Sequence, residues 1–214
     1  MADYDSIDFA SLLCSRLCHD LLNPVGALNN GLELLADETD ANMREQCMGL
    51  LAESARTTAN KLKFYRLAFG SASGFGDTLS AHELKMAIEG IFVPGGRLVL
   101  SWMPIDDNLD KLPAKILLNL ALIAGEALPR GGTLTLGVES RDGAHDVAVH
   151  GEGPRITLDP DVRRAITGQL NNGDVSSRTV APAMVRHLVS ERGGDVIASE
   201  ADQPFIMFGA RIPA

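Results

Sequence analysis

The sequence predicts a helical hairpin followed by an α/β sandwich, because its two halves have different hydrophobic periodicities. Residues 6 to about 70 repeat small and apolar side chains every three or four positions, which is the pattern of amphipathic helices. Beyond this region, short β-rich runs alternate with helical segments. A segment rich in glycine and serine at 70–76 separates the two patterns. We therefore predict a first domain over residues 1–72 and a second domain over residues 77–214.

Two long helices joined by a short polar turn account for the first half. Short polar residues interrupt the apolar stripe at 36–40, and Asp40 is a suitable N-cap for the second helix. A lone hairpin buries too little apolar surface to be stable, and the first helix carries further apolar residues off its main stripe at Leu12, Leu13 and Leu22. Two hairpins that meet about a twofold axis bury more of this surface, so we predict a homodimer with a four-helix bundle.

The second half predicts a two-layer α/β sandwich whose sheet is mainly antiparallel. Ser80 and Glu83 have the spacing of a capping box, which opens a helix that ends near Phe92. Gly143 and the pair 193–194 are well placed for turns. The remaining pattern predicts strands at 97–103, 133–140, 145–150, 195–200 and 205–212, and helices at 112–128, 159–170 and 179–192.

The composition disfavours several classes of function. The 214 residues include 28 acidic and 19 basic side chains, and the formal net charge of −9 disfavours binding to nucleic acid or to an anionic membrane. No run of about 18 apolar residues is present, and the first nine residues lack the basic start of a signal peptide, so we expect a cytoplasmic protein. The odd number of cysteines, Cys14, Cys18 and Cys47, fits buried thiols better than disulfides or a metal site.

His19 is the residue whose position suggests chemistry. It lies two helical positions from the apolar stripe on either side, so it points about 200° away from that stripe. Arg16 and Asn23 lie on the same helix face, and Gly26 and Asn30 continue it. We therefore expect an exposed imidazole on a polar strip with little bulk beside it, which a partner protein can approach closely.

The neighbours of His19 suit a nucleophilic imidazole, which is available near neutral pH because histidine has an unperturbed pKa of about 6.5. Asp20 would hold one ring nitrogen as a donor so that the other keeps its lone pair. Asn23 would hydrogen-bond a phosphoryl group, and Arg16 would pair with phosphate oxygens or with an acidic pocket of the partner. Pro24 removes one backbone hydrogen bond and bends the helix near His19. These residues alone leave open the alternative that His19 is an incidental surface histidine.

The segment from His19 to Leu28 resembles the phosphoacceptor H-box of sensor histidine kinases, which is a histidine, an acid, two residues, Thr or Asn, then proline. The resemblance implies that His19 is the phosphorylated residue, with Asp20 as the acid beside it and Asn23 at the phosphatase-linked position. The second half resembles the Bergerat-like ATP-binding domain of the same kinases, with 117–127 as its N-box helix. The implied fold class is α plus α/β, with a kinase-type sandwich after the hairpin.

The sequence departs from that kinase pattern at three positions of the nucleotide site. Ile123 replaces the asparagine that would ligate magnesium, and Gly151 replaces the acid that would bind adenine. Pro182 lies where the second glycine box would supply backbone N–H donors, and proline has none. We therefore expect a degenerate domain with no bound ATP, and Mg²⁺ only in the receiver domain of a partner.

An H-box kept beside a lost nucleotide site is similar to the ChpT family of alphaproteobacterial phosphotransferases. The resemblance implies a histidine phosphotransferase in a bacterial two-component phosphorelay, which moves a phosphoryl group through His19. Its partners would be the receiver domains of a hybrid histidine kinase and of response regulators. Besides His19, Asp20 and Asn23, we expect a receiver to contact Leu12, Arg16, Leu22, Gly26 and Asn30.

Other interpretations of the same sequence remain open. Sporulation phosphotransferases, whose second domain is also degenerate, are alternative relatives. An active sensor-type kinase core would bind nucleotide. A non-catalytic adaptor would bind receivers and would keep its activity without His19.

Overall fold

A computed structural model describes residues 6–70, 78–94, 96–103 and 105–214. The predicted linker and the predicted domain boundary lie outside these residues, apart from Gly70 at the end of a helix.

The predicted helical hairpin is present as α1 (Ser6–Asp37) and α2 (Ala41–Phe69). Asp40 caps α2 as expected, since its carboxylate accepts a hydrogen bond from the Met43 backbone N–H at 3.0 Å. Gly31 lets the two helices approach closely, because a Cβ at this position would lie 2.9 Å from the Leu51 side chain. Among the residues that the structure describes, no helix is both long and apolar enough to cross a membrane.

The second half is an α/β sandwich built on a five-stranded sheet with the strand order β2-β4-β5-β7-β6. Only the β2–β4 pair is parallel, so the mainly antiparallel sheet is confirmed. A separate two-stranded ribbon pairs β1 with β3. The elements are β1 (Thr78–Ser80), α3 (Ala81–Phe92), β2 (Leu98–Trp102), β3 (Asn108–Asp110), α4 (Lys111–Glu126), β4 (Gly132–Arg141), β5 (Ala144–Glu152), α5 (Pro160–Ile166), a 3₁₀ turn (Asn172–Asp174), α6 (Val180–Glu191), β6 (Asp195–Ala198) and β7 (Phe205–Pro213).

Two details of the second half differ from the sequence-based prediction. Strands β1 and β3 were not predicted, because three residues are too few to show a period. Helix α5 ends at Ile166 rather than near residue 170. Gly168 has a φ of +75° and its N–H bonds back to Ala165, which is a turn conformation that ends the helix.

One hydrophobic core joins the hairpin to the sandwich. The α4 side chains are almost all buried, and Phe64, Tyr65 and Ala68 of α2 belong to the same cluster of buried residues. Asn119 of α4 reinforces this joint, since its fully buried amide donates a hydrogen bond to the Ala68 carbonyl at 3.0 Å. The end of α2 is thereby fixed against α4, and the C-terminal residue of α4, Glu126, reaches α1.

Candidate functional site

The His19 side chain stands on the outside of α1 with 79% of its surface exposed. This confirms the exposure that the helical periodicity predicts. Among the described residues, its ring has one hydrogen-bond partner, because Nδ1 lies 3.3 Å from Asp20 Oδ1. The other ring nitrogen, Nε2, is open to an incoming group.

Asp20 is held much more firmly than its neighbour. Its Oδ2 accepts hydrogen bonds from Arg16 Nε at 2.7 Å and from the Tyr65 hydroxyl at 2.8 Å. Only 17% of its side-chain surface is exposed. The exposed imidazole therefore faces a carboxylate whose position is set by two different helices.

These contacts keep Asp20 ionised and determine which atoms around it carry protons. Burial raises the pKa of Asp20, but the hydrogen bond and charge of Arg16, together with the Tyr65 hydroxyl, outweigh it and lower the pKa below its ordinary value. Burial and the Asp20 charge raise the pKa of Tyr65, so its hydroxyl stays a donor. Because a carboxylate only accepts hydrogen bonds, the neutral His19 ring donates from Nδ1, and Nε2 carries the free lone pair.

Pro24 leaves the Asp20 carbonyl without its helical partner, and a side chain of α2 replaces that partner. A proline has no N–H to give to the carbonyl four residues earlier. Lys61 Nζ donates to the Asp20 carbonyl oxygen at 2.7 Å. Helix α1 continues through the buried Pro24, and Asp20 is therefore bound to α2 through its backbone as well as its carboxylate.

The expected exposure of Arg16 is wrong. Its side chain is only 10% exposed, and its guanidinium lies between Asp20 and Glu126 rather than on the partner-facing strip. Burial lowers the pKa of Arg16, but the Glu126 and Asp20 carboxylates outweigh it and raise the pKa. The sequence prediction failed because Glu126 at the end of α4 binds Arg16 and α6 packs against α1, and both elements lie far away in the chain.

The remaining residues of the predicted partner-facing strip keep it open. Leu22, Asn23 and Asn30 are exposed, and Leu12 is partly buried. A Cβ at Gly26 would have nothing within 4 Å, so the backbone of α1 is accessible there. From this point on, "the docking strip" denotes the strip formed by Leu12, His19, Leu22, Asn23, Gly26 and Asn30.

At the three positions that depart from the kinase pattern, two side chains are buried and the third position is crowded by neighbouring side chains. Ile123 and Pro182 are both buried and line a cavity of about 140 Å³ between α4 and α6. Gly151 faces the core, where a Cβ would lie 2.9 Å from Ile206 Cγ2 and 3.2 Å from Leu128 Cδ1. Apolar side chains therefore fill the space in which an acid at position 151 would extend.

Comparison with known proteins identifies the family of this chain. A family model for the C-terminal domain of histidine phosphotransferases matches residues 81–204. Protein phosphotransferase ChpT of Brucella abortus (strain 2308) is 33% identical over 205 residues, and the alignment covers 96% of each chain. The chain belongs to the ChpT family of histidine phosphotransferases. This membership confirms the predicted class, a histidine phosphotransferase of a phosphorelay.

One solved structure matches the fold over almost the whole chain. A bacterial phosphotransferase determined at 1.7 Å matches with a TM-score of 0.83 and 30% identity, and the match covers 98% of each chain. The predicted hairpin followed by an α/β sandwich is thereby confirmed. The histidine kinase AdeS of Acinetobacter baumannii also aligns, with a TM-score of 0.47, 15% identity and coverage of 91% of this chain and 97% of that chain.

Three residues around Asp20 were not found from the sequence: Lys61, Tyr65 and Glu126. Lys61 and Tyr65 lie four positions apart on α2, as residues on one helix face do, but no local pattern pairs that face with Asp20. Glu126 is 110 residues from Arg16 in the chain. Without the tertiary structure, a tyrosine on an apolar helix face and an acid at the end of an apolar helix do not indicate a contact with Asp20.

The lowered pKa of Asp20 gives a prediction for stability against pH. We expect Asp20→Asn to lower the free energy of unfolding by about 1–2 kcal/mol at neutral pH, because the hydrogen bonds from Arg16 and Tyr65 lose their charged acceptor. This stabilisation is fully present above the unfolded pKa of about 3.9 and is lost as pH falls through the lower folded pKa. Urea unfolding of both proteins at about pH 7, 5 and 3 measures the gap. A gap that widens on acidification would contradict the assignment of an ionised, hydrogen-bonded Asp20.

Proposed function

We propose that His19 is the phosphoacceptor of this histidine phosphotransferase, and that it exchanges a phosphoryl group with the aspartates of receiver domains. The observation that supports this proposal is an exposed imidazole whose Nδ1 faces the partly buried, ionised Asp20. The resulting tautomer leaves Nε2 unprotonated and accessible on the docking strip.

The reaction needs no proton transfer at His19. Nε2 attacks the phosphorus of a receiver phosphoaspartate in line, the N–P bond forms, the P–O bond breaks, and the aspartate leaves as a carboxylate. The phosphorylated ring keeps its Nδ1 proton and becomes cationic, and the Asp20 carboxylate stabilises that charge. An acceptor aspartate then attacks the same phosphorus and expels the neutral imidazole. The receiver domain supplies Mg²⁺.

The docking strip is the surface that a receiver would cover. Asn23 lies one turn beyond His19, where its amide can hydrogen-bond phosphoryl oxygens in transit. The small Gly26 leaves room for a partner backbone, and the exposed Leu22 offers an apolar contact. The buried Arg16 is not part of this surface.

His19→Gln tests the phosphoacceptor directly. We expect a ³²P-labelled phospho-receiver to label the wild-type protein in an acid-labile, alkali-stable form and to leave His19→Gln unlabelled. His82→Gln is the matched control, since His82 is also exposed but lies on α3, and we expect it to be labelled like the wild type. Label on His19→Gln would place the phosphoryl group on another residue and contradict this proposal. Activity that persists without His19 and without label would favour the adaptor alternative.

We also propose that the hairpin forms a homodimeric four-helix bundle. Exposed apolar or thiol side chains follow a spacing of seven and four along α1, at Ile7, Cys14, Cys18, Val25 and Leu32. Helix α2 carries a second row of exposed apolar side chains with a spacing of seven, at Met48, Ala55 and Leu62. Such heptad spacing is typical of helices that pack against each other in a bundle, so a second copy would cover both rows.

The dimer proposal is consistent with access to His19. Cys18 of the α1 row is one residue from His19 and so lies about 100° around the helix axis. Covering the row therefore leaves the imidazole on the outer surface. Each dimer then carries two equivalent docking strips.

Leu32→Lys and Leu34→Lys form a matched pair for the dimer. Both leucines are exposed, at 56% and 66%, but only Leu32 belongs to the heptad row. We expect Leu32→Lys to shift the protein to a monomer in sedimentation-velocity experiments, because the bundle core cannot accommodate a buried charge. Leu34→Lys should sediment as the wild type does. Equal behaviour of the two variants would contradict this bundle interface.

We further propose that the α/β sandwich binds no ATP. The cavity next to Ile123 and Pro182, at about 140 Å³, is smaller than the range of about 300–1,000 Å³ typical of small-molecule sites. The Ile123 side chain has no oxygen for magnesium, and Leu128 and Ile206 lie close to Gly151. These features support a phosphotransferase over an active kinase.

Titration with a fluorescent ATP analogue and Mg²⁺ tests this proposal, with an active histidine kinase domain as the positive control. We expect no saturable binding. Gly151→Asp, which introduces the acid of the kinase pattern, should not create binding. It should lower the free energy of unfolding by at least about 3 kcal/mol, because it overpacks the core and buries a charge. Saturable binding by the unmodified protein would favour the kinase alternative.

A further inference from the structure

We propose that Glu126, Arg16 and Tyr65 are positioning residues for phosphotransfer, and that the α/β sandwich acts on His19 through the contacts Glu126–Arg16–Asp20. This inference rests on the proposed role of His19. It assigns to the sandwich a part in the reaction that does not require nucleotide.

The Arg16 guanidinium connects the sandwich to the acid beside His19. Its Nε donates to Asp20 Oδ2 at 2.7 Å, and its Nη2 donates to Glu126 Oε1 at the end of α4. A planar guanidinium fixes the relative positions of the two groups that it binds at once. Since α4 is anchored in the core, Glu126 gives Arg16 a fixed point outside the hairpin.

Tyr65 holds the same carboxylate oxygen from α2. Its hydroxyl lies 2.8 Å from Asp20 Oδ2, and its side chain is buried. Its ring contacts Phe64 edge-on, with centroids 5.9 Å apart, and Phe69 with centroids 5.7 Å apart. These aromatic contacts leave the ring little freedom to move.

The two donors together determine which oxygen of the Asp20 carboxylate faces His19. They occupy Oδ2, so the Asp20 carboxylate is oriented with Oδ1 toward the Nδ1 of the ring. Among the described residues, Asp20 is the one hydrogen-bond partner of this exposed imidazole. Rotation of the Asp20 carboxylate would therefore remove the contact that orients the ring. Loss of either donor should therefore change both the tautomer of His19 and the rate of phosphotransfer.

Glu126→Gln and Tyr65→Phe test the proposal with small changes. Half of the Glu126 side-chain surface is exposed, and Phe keeps the aromatic ring of Tyr65, so both variants should fold. Asp195→Asn is the control, since it removes a similar pair, Arg186–Asp195 at 2.7 Å, at the far edge of the sheet. The readouts are the His19 tautomer from long-range ¹H–¹⁵N NMR spectra and the rate of transfer from a phospho-receiver.

We expect the neutral wild-type His19 to carry its proton on Nδ1, and both variants to gain the Nε2–H tautomer. Transfer should slow by about tenfold in Tyr65→Phe and by a smaller factor in Glu126→Gln, because misplacement of a reacting group costs rate. Asp195→Asn should match the wild type in both readouts.

The experiment distinguishes a failure of this inference from a failure of the proposed function. If wild-type protein accepts phosphate but both variants keep its tautomer and its rate, Arg16, Tyr65 and Glu126 have a structural role only and the inference is overturned. If wild-type His19 accepts no phosphate, the proposed function fails, and the NMR spectra still report whether Glu126 and Tyr65 orient the ring. An unchanged rate with an altered tautomer would also overturn the inference.

Discussion

The hydrogen bonding of the Asp20 carboxylate is the constraint on which the site depends. Arg16 and Tyr65 donate to its side chain, and Lys61 donates to its backbone carbonyl. A carboxylate with little exposure is costly unless such donors stabilise its charge. With those donors it stays ionised beside an imidazole that is mostly exposed to solvent. The same arrangement therefore combines a fixed acid with an exposed imidazole that a partner can reach.

Apolar packing surrounds the positions of the α/β sandwich at which the sequence departs from the kinase pattern. Leu128 and Ile206 pack around Gly151, and Ile123 is buried where a metal ligand would stand in a kinase. This packing stabilises α4, whose last residue, Glu126, contacts α1.

The sequence predicted what depends on local periodicity. The hairpin, the Asp40 cap and the exposure of His19 follow from helical spacing and capping rules, and the structure confirms all three. The burial of Arg16 was missed because spacing assigns a residue to a face of α1 without showing what packs there. Glu126 and the short strands β1 and β3 were missed for related reasons, since a contact 110 residues away and a run of three residues leave no periodic signal.

The most direct test of the account is the identity of the phosphorylated ring nitrogen. Phosphorylated protein carrying ¹⁵N-labelled histidine can be examined by ³¹P and ¹⁵N NMR, which distinguish the two isomers of phosphohistidine. An Asp20 carboxylate that holds the Nδ1 proton requires phosphate on Nε2 of His19. Phosphate on Nδ1, or on another histidine, would contradict the central claim that Asp20 sets the reactive face of the ring.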